Sequence, residues 1–529
     1  MEPDGRMPGR SREPFFHQPR TIRLIEEIAA SEHLVIYVGA GVTITESGHS
    51  WSSMVKLLFG ELGERSEPSA AIAETFDLPK QASIANEYFQ RAEPDAASRV
   101  VANLLRRALY QEARWRGGDY TAAIGQFCKE KLASGHEVAI VTTNYDQYLE
   151  NGLRDASSDS ATAELVQSRV LPLDHALDEQ AVSRLLEEIR GVLPVVHLHG
   201  VILPERNAAV AEDIVLDEVD YLRTEAGSSA VLTGMLERND LLILGSSLED
   251  APLMRALWKT KAAGHRRWAL FPRQNYRGSP GAYGNHPQTY DDLIYAQRRR
   301  CELFRVQVVA PDFYSQAPQF VKELAIASEC ARGGHEDAAY QLSQYGIRLA
   351  DWWKRWIGDR SNASGKPTVN AQRKDHNELK RALDRIQKTA AVMIGARERL
   401  KLELWVRWKP SSHCRGLQLW ASSTGTWLDH QTMRNEEIDV DSEFLAVRAF
   451  CNGVVELQSG PNGPRDRWKK SLAVPIRVGS ESRKFQAGVI VLSTNVQGQG
   501  SIIDEHDDER MNTLIRLLTG TGRERLEAG

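Results

Sequence analysis

From Thr21 onward the apolar positions of the chain switch repeatedly between two periods. RTIRLIEEIAASE places its apolar residues three and four apart, and this spacing predicts an amphipathic helix. LVIYVG is a short, nearly all-apolar run closed by glycine, which suits a strand buried on both faces. Helical spacing returns in WSSMVKLLFGEL, ASIANEYFQRA, SRVVANLLRRALYQEA and TAAIGQFCKEKLAS. Five strand-like runs follow, EVAIVTTN, VLPVVHLHG, LLILGSS, RRWALFP and ELFRVQVVA, with helical stretches between most of them. Strands alternating with helices predict a parallel sheet with helices on both faces, an α/β domain over residues 21–330.

The pattern changes after this. ARGGHEDAAYQLSQYGIRLADWWKRWIGD contains a helix, and DRSNASGKPTVNAQRKDH is polar and turn-rich, so residues 331–375 read as a helix and polar linker. HNELKRALDRIQKTAAVMIGARERL resumes helical spacing. LKLELWVRWKP, RGLQLWASS, WKKSLAVPIRV and FQAGVIVLSTN read as strands, SEFLAVRAFCNGVVEL and DDERMNTLIRLLTG as helices. This order predicts a smaller α+β domain over residues 376–522. The opening MEPDGRMPGRSREPFFHQPR is polar, rich in Arg and Pro, and lacks an apolar h-region, so residues 1–20 are expected to be a disordered tail and not a secretory signal. The sequence shows no internal repeat.

At 529 residues the chain calls for two or three domains. No apolar run approaches the roughly 20 residues needed to span a bilayer, so a membrane is not expected. The net charge of −5 comes with no basic run, so charge does not indicate nucleic-acid binding. The five cysteines are Cys128, Cys301, Cys330, Cys414 and Cys451. None forms a C-x-x-C pair, which fits a reducing cytoplasm and gives no four-cysteine zinc module; no metal is expected.

Chemistry-bearing residues gather just after the predicted strands, where an open α/β sheet presents its ligand crevice. Gly39, Ala40 and Gly41 would let backbone N–H groups approach a pyrophosphate, or they form a tight turn. Asn144 ends a strand and could hold a ribose hydroxyl or a water, with Asp146 nearby. A helix cap would account equally well for Asp146. His197 and His199 have period-2 spacing and share a strand face, and a neutral imidazole accepts a proton near pH 7. Gly245, Ser246 and Ser247 suit phosphate or ribose contacts, although Ser247 and Asp250 could simply cap the next helix.

Taken in order, VGAGVTITESGHSW (38–51), TTNYD (142–146), HLHG (197–200) and LGSSLED (244–250) resemble the sirtuin superfamily. In detail they resemble its bacterial branch, whose members hydrolyse NAD rather than deacetylate proteins. The resemblance covers roughly residues 20–330 and implies a Rossmann-like sheet. It further implies that Asn144 and His199 are catalytic, His199 as base, and that Gly39, Ala40, Gly41, Thr43, Asp146, Gly245, Ser246, Ser247 and Asp250 bind NAD. His197 is then supporting or structural. Thr43 stands where sirtuins carry serine. Trp51 stands where the NAD-hydrolysing branch often has tryptophan, and it could equally anchor the next helix. NAD+ would be the substrate, with no separate cofactor, and the products nicotinamide and either ADP-ribose or its cyclic form. Residues 376–522 resemble a GAF sensory domain, best in SLAVPIRV and AGVIVLS. The two resemblances together imply a cytoplasmic homo-oligomer acting as a regulated antiviral effector that depletes NAD+, with a small-molecule or phage-derived trigger. A protein deacylase is the alternative enzyme and should carry the missing zinc module. A non-catalytic nucleotide-binding sensor is the third reading; it would not need Asn144 and His199.

Overall fold

The computed structural model describes residues 15–62, 75–92, 97–110, 119–156, 166–171, 179–188, 192–204, 211–212, 214–272, 287–333, 336–363, 366–394, 398–411, 414–424, 434–439, 442–460, 467–497 and 501–527. The chain forms two compact units. One is built from described residues between Ile28 and Ala310, the other from residues up to Glu27 and from Pro311 onward. Residues 311–330, which the sequence pattern groups with the first domain, thus belong to the second unit.

Helix α1 (Pro19–Ala29) leads into the first unit. There follow β1 (His33–Val38), α2 (Ala40–Ser47), α3 (Trp51–Leu62), α4 (Leu78–Ala92), α5 (Ala97–Tyr110), α6 (Tyr120–Ala133) and β2 (Glu137–Thr142). Next come α7 (Tyr148–Ala156), β3 (Val166–Val170), α8 (Glu179–Glu188), β4 (Leu193–His197) and a short hairpin of β5 (Val201–Ile202) and β6 (Ala211–Glu212). The unit closes with α9 (Glu218–Leu236), β7 (Asp240–Leu244), α10 (Ala251–Lys259), β8 (Arg267–Leu270), α11 (Pro287–Leu303) and β9 (Gln307–Val309).

Seven of these strands make one sheet in the order β3-β4-β2-β1-β7-β8-β9, and every pairing is parallel. This is the Rossmann-like α/β arrangement that the alternating pattern predicts. Strands β4, β7 and β8 are buried at every position, because helices cover both faces. Val35, Tyr37, Val141, Val196, Leu241 and Ile243 share a core with Val231, Leu232, Leu253 and Leu257 of α9 and α10. Each fully buried Val, Leu or Ile there contributes roughly 1.5–3 kcal/mol. A second core gathers α3, α4 and α5 through Val55, Leu58, Ala85, Leu105 and Leu109.

Register fixes where the motifs meet. Val38 pairs with both Thr142 and Leu244, and Thr142 pairs with His197. The last residues of β1, β2, β4 and β7 therefore stand in one row, and the four motifs leave the sheet along one edge. The strand order also reverses about β1, with β2, β4 and β3 on one side and β7, β8 and β9 on the other. Such a switch point opens a crevice at the carboxyl ends of the strands.

Some elements depart from the pattern. GAGVTITES is a helix from Ala40, not a loop, with Gly39 as its N-cap. VQSRV forms β3 at the sheet edge, where one exposed flank removes the need for an apolar run. In ELFRVQVVA the helix α11 runs through Leu303, Arg305 adopts φ 55°, and only Gln307–Val309 joins the sheet.

The second unit includes a 3-10 turn at Phe15–His17. Of the tail expected over residues 1–20, residues 1–14 lie outside the described residues. The rest is ordered, because Phe15 and Phe16 are buried and pack on Phe320 and Tyr345. Helices α12 (Gln316–Arg332), α13 (Glu336–Ser343), α14 (Tyr345–Gly358) and α15 (Val369–Ile394) precede β10 (Leu400–Ser411), β11 (Cys414–Ser422) and β12 (Asn435–Glu437). Then come α16 (Leu445–Asn452), β13 (Glu456–Ser459), β14 (Lys470–Val478), β15 (Phe485–Thr494) and α17 (Asp508–Glu527). The six strands form an antiparallel sheet in the order β12-β11-β10-β15-β14-β13. Helix α16 packs Leu445, Val447 and Phe450 with Trp405, Val489 and Val491 on one face. Trp408 and Trp420 meet Trp353 and Trp356 elsewhere in the unit.

The linker expected within residues 331–375 is corrected by this packing. Arg360, Gln372 and Asp375 are buried, and α15 already begins at Val369. Arg360 Nε donates to Asp375 Oδ2 at 2.9 Å, and Trp420 Nε1 donates to the same oxygen at 2.8 Å. A polar stretch satisfied by its own partners carries no apolar signature, so it reads as solvent-exposed. Cys128, Cys301, Cys330 and Cys451 are buried. Among the described residues, no helix is long and apolar enough to cross a membrane.

Candidate active site

The glycines exist because two strand-end loops touch. A Cβ on Gly39 would lie 2.6 Å from the Gly245 carbonyl oxygen, and one on Gly41 would lie 2.8 Å from it. A Cβ on Gly245 would lie 2.5 Å from the Val42 nitrogen, and Gly245 also holds φ +64°. The contact is hydrogen-bonded: Gly41 N–H donates to Gly245 O and Gly39 N–H to Leu244 O, both at 2.9 Å. The N-termini of α2 and α10 therefore both open at the crevice, and helix N-termini favour anions through their N–H groups and dipole.

Asn144 is held at four points. Its backbone N–H donates to Thr142 Oγ1 at 3.0 Å, and its carbonyl oxygen lies 3.1 Å from His197 Nδ1. Its side-chain Nδ2 donates to Gly39 O at 3.3 Å and to Thr43 Oγ1 at 3.1 Å. That assignment leaves Oδ1 as an acceptor for a hydroxyl or a water. Thr43 passes its own proton to Asp146 Oδ2 at 2.8 Å, while Asp146 Oδ1 accepts from Tyr148 N–H at 3.2 Å. Asp146 thus both accepts from the first N–H of α7 and ends a chain running from Asn144 through Thr43. Burial pushes the Asp146 carboxyl up to about 6 against the Thr43 bond. Glu46 accepts from Thr45 and from Thr121, and burial pushes it up to about 7.

His199 lies at the mouth of this turn. It is buried, and its ring packs edge-on against Tyr221 of α9 with centroids 5.0 Å apart. Burial lowers its pKa, opposed by the Asp250 charge, so the ring is neutral near pH 7. Asp250 stands at the N-cap position of α10 but makes no capping bond. It accepts instead from the Tyr37 hydroxyl at 2.5 Å. Burial raises the Tyr37 pKa well above its ordinary value, and Asp250 adds to the shift.

His197, two residues earlier on the same strand, is fully buried behind the turn. Its Nε2 lies 2.8 Å from Glu150 Oε1, and Ser168 Oγ donates to the same oxygen at 2.9 Å. Burial favours the neutral ring, but the Glu150 bond and charge outweigh it and raise the His197 pKa. Burial likewise opposes ionisation of Glu150, and the His197 interaction outweighs it and lowers the pKa.

These groups line a cleft of about 870 Å³. Gly39, Ala40, Thr43, Asn144, Asp146, His199, Gly245, Ser246, Ser247 and Asp250 all face it, as does Trp51, whose ring is 5.9 Å from Tyr145. Gly41 and His197 do not line it; they sit behind it and shape the loops. Ser246 Oγ accepts from Leu248 N–H at 3.2 Å, while Ser247 is exposed. Among the described residues, no lysine or arginine lines the cleft, whereas Asp77, Asp146, Glu218, Glu225, Glu249 and Asp250 do. Met54, Leu78, Leu109 and Leu222 are apolar residues of its lining. No group of His, Cys, Asp and Glu among the described residues is arranged to hold a metal ion.

Sequence reasoning missed Tyr37, Tyr221, Glu150 and Glu46. Tyr37 sits inside an apolar run, and its hydroxyl is the one hint that the run ends at a polar site. Tyr221 belongs to a helix without any motif. Glu150 falls in a helix otherwise read as ordinary surface.

An open parallel sheet with a cleft at its switch point defines the doubly wound α/β class of fold, whose ligands bind outside the carboxyl ends of the strands. Residues 138–282 match the family model described as a SIR2-like domain, under a third of the 529 residues. That span holds TTNYD, HLHG and GSSLED but not the glycine segment at 38–51. One solved structure, described as "Structural Basis for the Mechanism and Regulation of Sir2 Enzymes", has 15% identity, covers 60% of this chain and 99% of its own, and has a TM-score of 0.29. Another, a Sir2 homolog–NAD complex, has 14% identity, covers 59% and 94%, and has a TM-score of 0.28. At these TM-scores the likeness adds nothing to the fold derived above. No curated protein matches the chain.

Proposed function

We propose that the cleft binds NAD+ and that the protein cleaves the nicotinamide–ribose bond. The observation that carries the reading is the juxtaposition of Asn144, held at four points, with a neutral His199 at the opening of two helix N-termini. The Ala40 N–H at the start of α2 and the Ala251 N–H at the start of α10, with Ser246 and Ser247, would hold the pyrophosphate. Asn144 Oδ1 would orient a ribose hydroxyl or the attacking water. Bond breaking develops positive charge on the sugar, as in glycoside cleavage. The carboxylates lining the cleft suit that charge. Nicotinamide leaves as a neutral amide and needs no strong acid, while His199 would accept the proton of the attacking water. The products would be nicotinamide and ADP-ribose, or cyclic ADP-ribose if the adenine ring attacks.

One observation favours a second reading. The apolar lining residues Met54, Leu78, Leu109 and Leu222 could receive an acyl-lysine, which would make the protein an NAD-dependent deacylase. The second unit, by its antiparallel sheet between helices, is proposed to be the GAF-like regulatory part of an antiviral effector. Chromatography of NAD+ incubated with the full chain tests the enzyme reading. His199→Ala and Asn144→Ala should each cost at least roughly 100-fold in nicotinamide release. Wild-type activity retained by both folded variants would defeat it.

A further inference from the structure

Both ring nitrogens of His197 face hydrogen-bond acceptors. Nε2 meets the Glu150 carboxylate at 2.8 Å and Nδ1 meets the Asn144 carbonyl oxygen at 3.1 Å. A neutral imidazole has one N–H only and would leave a lone pair pointing at one of these oxygens. With Glu150 ionised, the ring satisfies both only as imidazolium. Glu150 supplies the compensating charge; it is fully buried, accepts from Ser168, and its Oε2 has no hydrogen-bond partner.

We infer that the buried His197–Glu150 ion pair is a positioning device for Asn144, holding the TTNYD turn in its working shape only while His197 carries a proton. This rests on the proposed NAD cleavage. Neither residue lines the cleft, so neither touches substrate; both act through the Asn144 carbonyl. On deprotonation, Nδ1 would present a lone pair to that carbonyl, and the turn would be pushed from the row of strand ends. Thr142 Oγ1 holds the other side of the same residue, so displacement of the carbonyl swings the side-chain amide away from Gly39 and Thr43.

The groups facing His197 are Glu150 on α7, Asp146 and the Asn144 carbonyl on the turn after β2, with Ser168 on β3 joined through Glu150. Burial raises Asp146 to about 6, and above that pH its added negative charge also favours the imidazolium. The device therefore fails on the alkaline side. kcat should fall as pH rises through the raised His197 pKa, while KM for NAD+ changes little, because the cleft walls stay in place.

Two measurements on the full chain test this. Nitrogen-15 spectra of histidine-labelled protein should show His197 protonated at both nitrogens at pH 7.5, and the midpoint of its loss should coincide with the alkaline fall of kcat. Glu150→Gln keeps an acceptor toward Nε2 but removes the charge. It should leave His197 neutral at pH 7.5 and lower kcat about tenfold or more, with KM within about threefold. A neutral His197 in the wild type overturns the inference whether or not any variant folds. So does a folded Glu150→Gln with wild-type kcat, or a kcat profile that ignores the His197 midpoint. If the wild type cleaves no NAD+ at any pH, the proposed function fails, and this inference with it; an active wild type with an indifferent Glu150→Gln defeats this inference alone.

Discussion

Gly245→Ala puts the loop contact at the base of the cleft to a quantitative test. Gly245 holds φ +64°, where an alanine costs roughly 1–2 kcal/mol. Its added Cβ would also lie 2.5 Å from the Val42 nitrogen and 2.9 Å from the Gly41 carbonyl carbon, both backbone atoms that no rotamer change can move. Overpacking of that kind costs typically about 1–3 kcal/mol. The sum is roughly 2–5 kcal/mol, or a fall in Tm of about 3–9 °C for a unit of this size. Gly135 supplies the control, because it holds φ +75° with nothing within 4 Å of its Cβ. Gly135→Ala should show the conformational strain alone, about 1–2 kcal/mol, with NAD+ cleavage unchanged. In Gly245→Ala the two loops must separate by several tenths of an ångström, and misplacement on that scale should lower nicotinamide release by about tenfold or more. Calorimetry and a nicotinamide assay on both variants decide the matter. If Gly245→Ala is no less stable and no less active than Gly135→Ala, the reading of these glycines as a close backbone contact is wrong.

Other consequences follow from the same geometry. Because carboxylates and no described Lys or Arg line the cleft, raising NaCl from about 0.05 to about 0.3 M should leave KM for NAD+ flat or lower it, and a steep rise would reveal a cationic clamp. Glu46 has its pKa raised by burial to about 7, so its contribution to stability is full below its ordinary value near 4.5 and is lost as pH rises through about 7. Glu46→Gln keeps the shape without the titration, so its Tm relative to wild type should rise between about pH 5 and pH 8; a constant difference would refute the buried carboxyl. Asp375→Ala leaves Arg360 buried without its carboxylate and should destabilise the second unit by about 3–5 kcal/mol in urea titrations, whereas a loss near zero would restore the stretch to a loose linker.

The sequence pattern revealed what depends on runs of one residue class. The buried strands are nearly all apolar, and the segments after them carry Gly, Asn, His and Ser, so the sheet and its functional edge were both legible. The register that aligns Val38, Thr142, His197 and Leu244 was not, since strand order is decided by which helices cover which face. Residues acting across the fold were equally hidden. Tyr37 reaches Asp250 over a separation of more than 200 residues, and Glu150 reaches His197 from a helix whose surface pattern looks ordinary. The segment from Arg360 to Asp375 misled for the opposite reason: Arg360 and Asp375 at its two ends are buried and pair with each other.

The most direct test of the central claim is mass balance on NAD+ incubated with the full-length protein in water enriched in oxygen-18, with no acylated peptide present. The account predicts one nicotinamide released for each NAD+ lost, with the remainder recovered as ADP-ribose carrying solvent oxygen at the anomeric carbon, or as cyclic ADP-ribose without it. NAD+ consumed only when an acyl-lysine peptide is added, with the acyl group recovered on ADP-ribose, would contradict hydrolysis and establish the deacylase reading. NAD+ left intact with and without peptide would contradict the enzyme altogether.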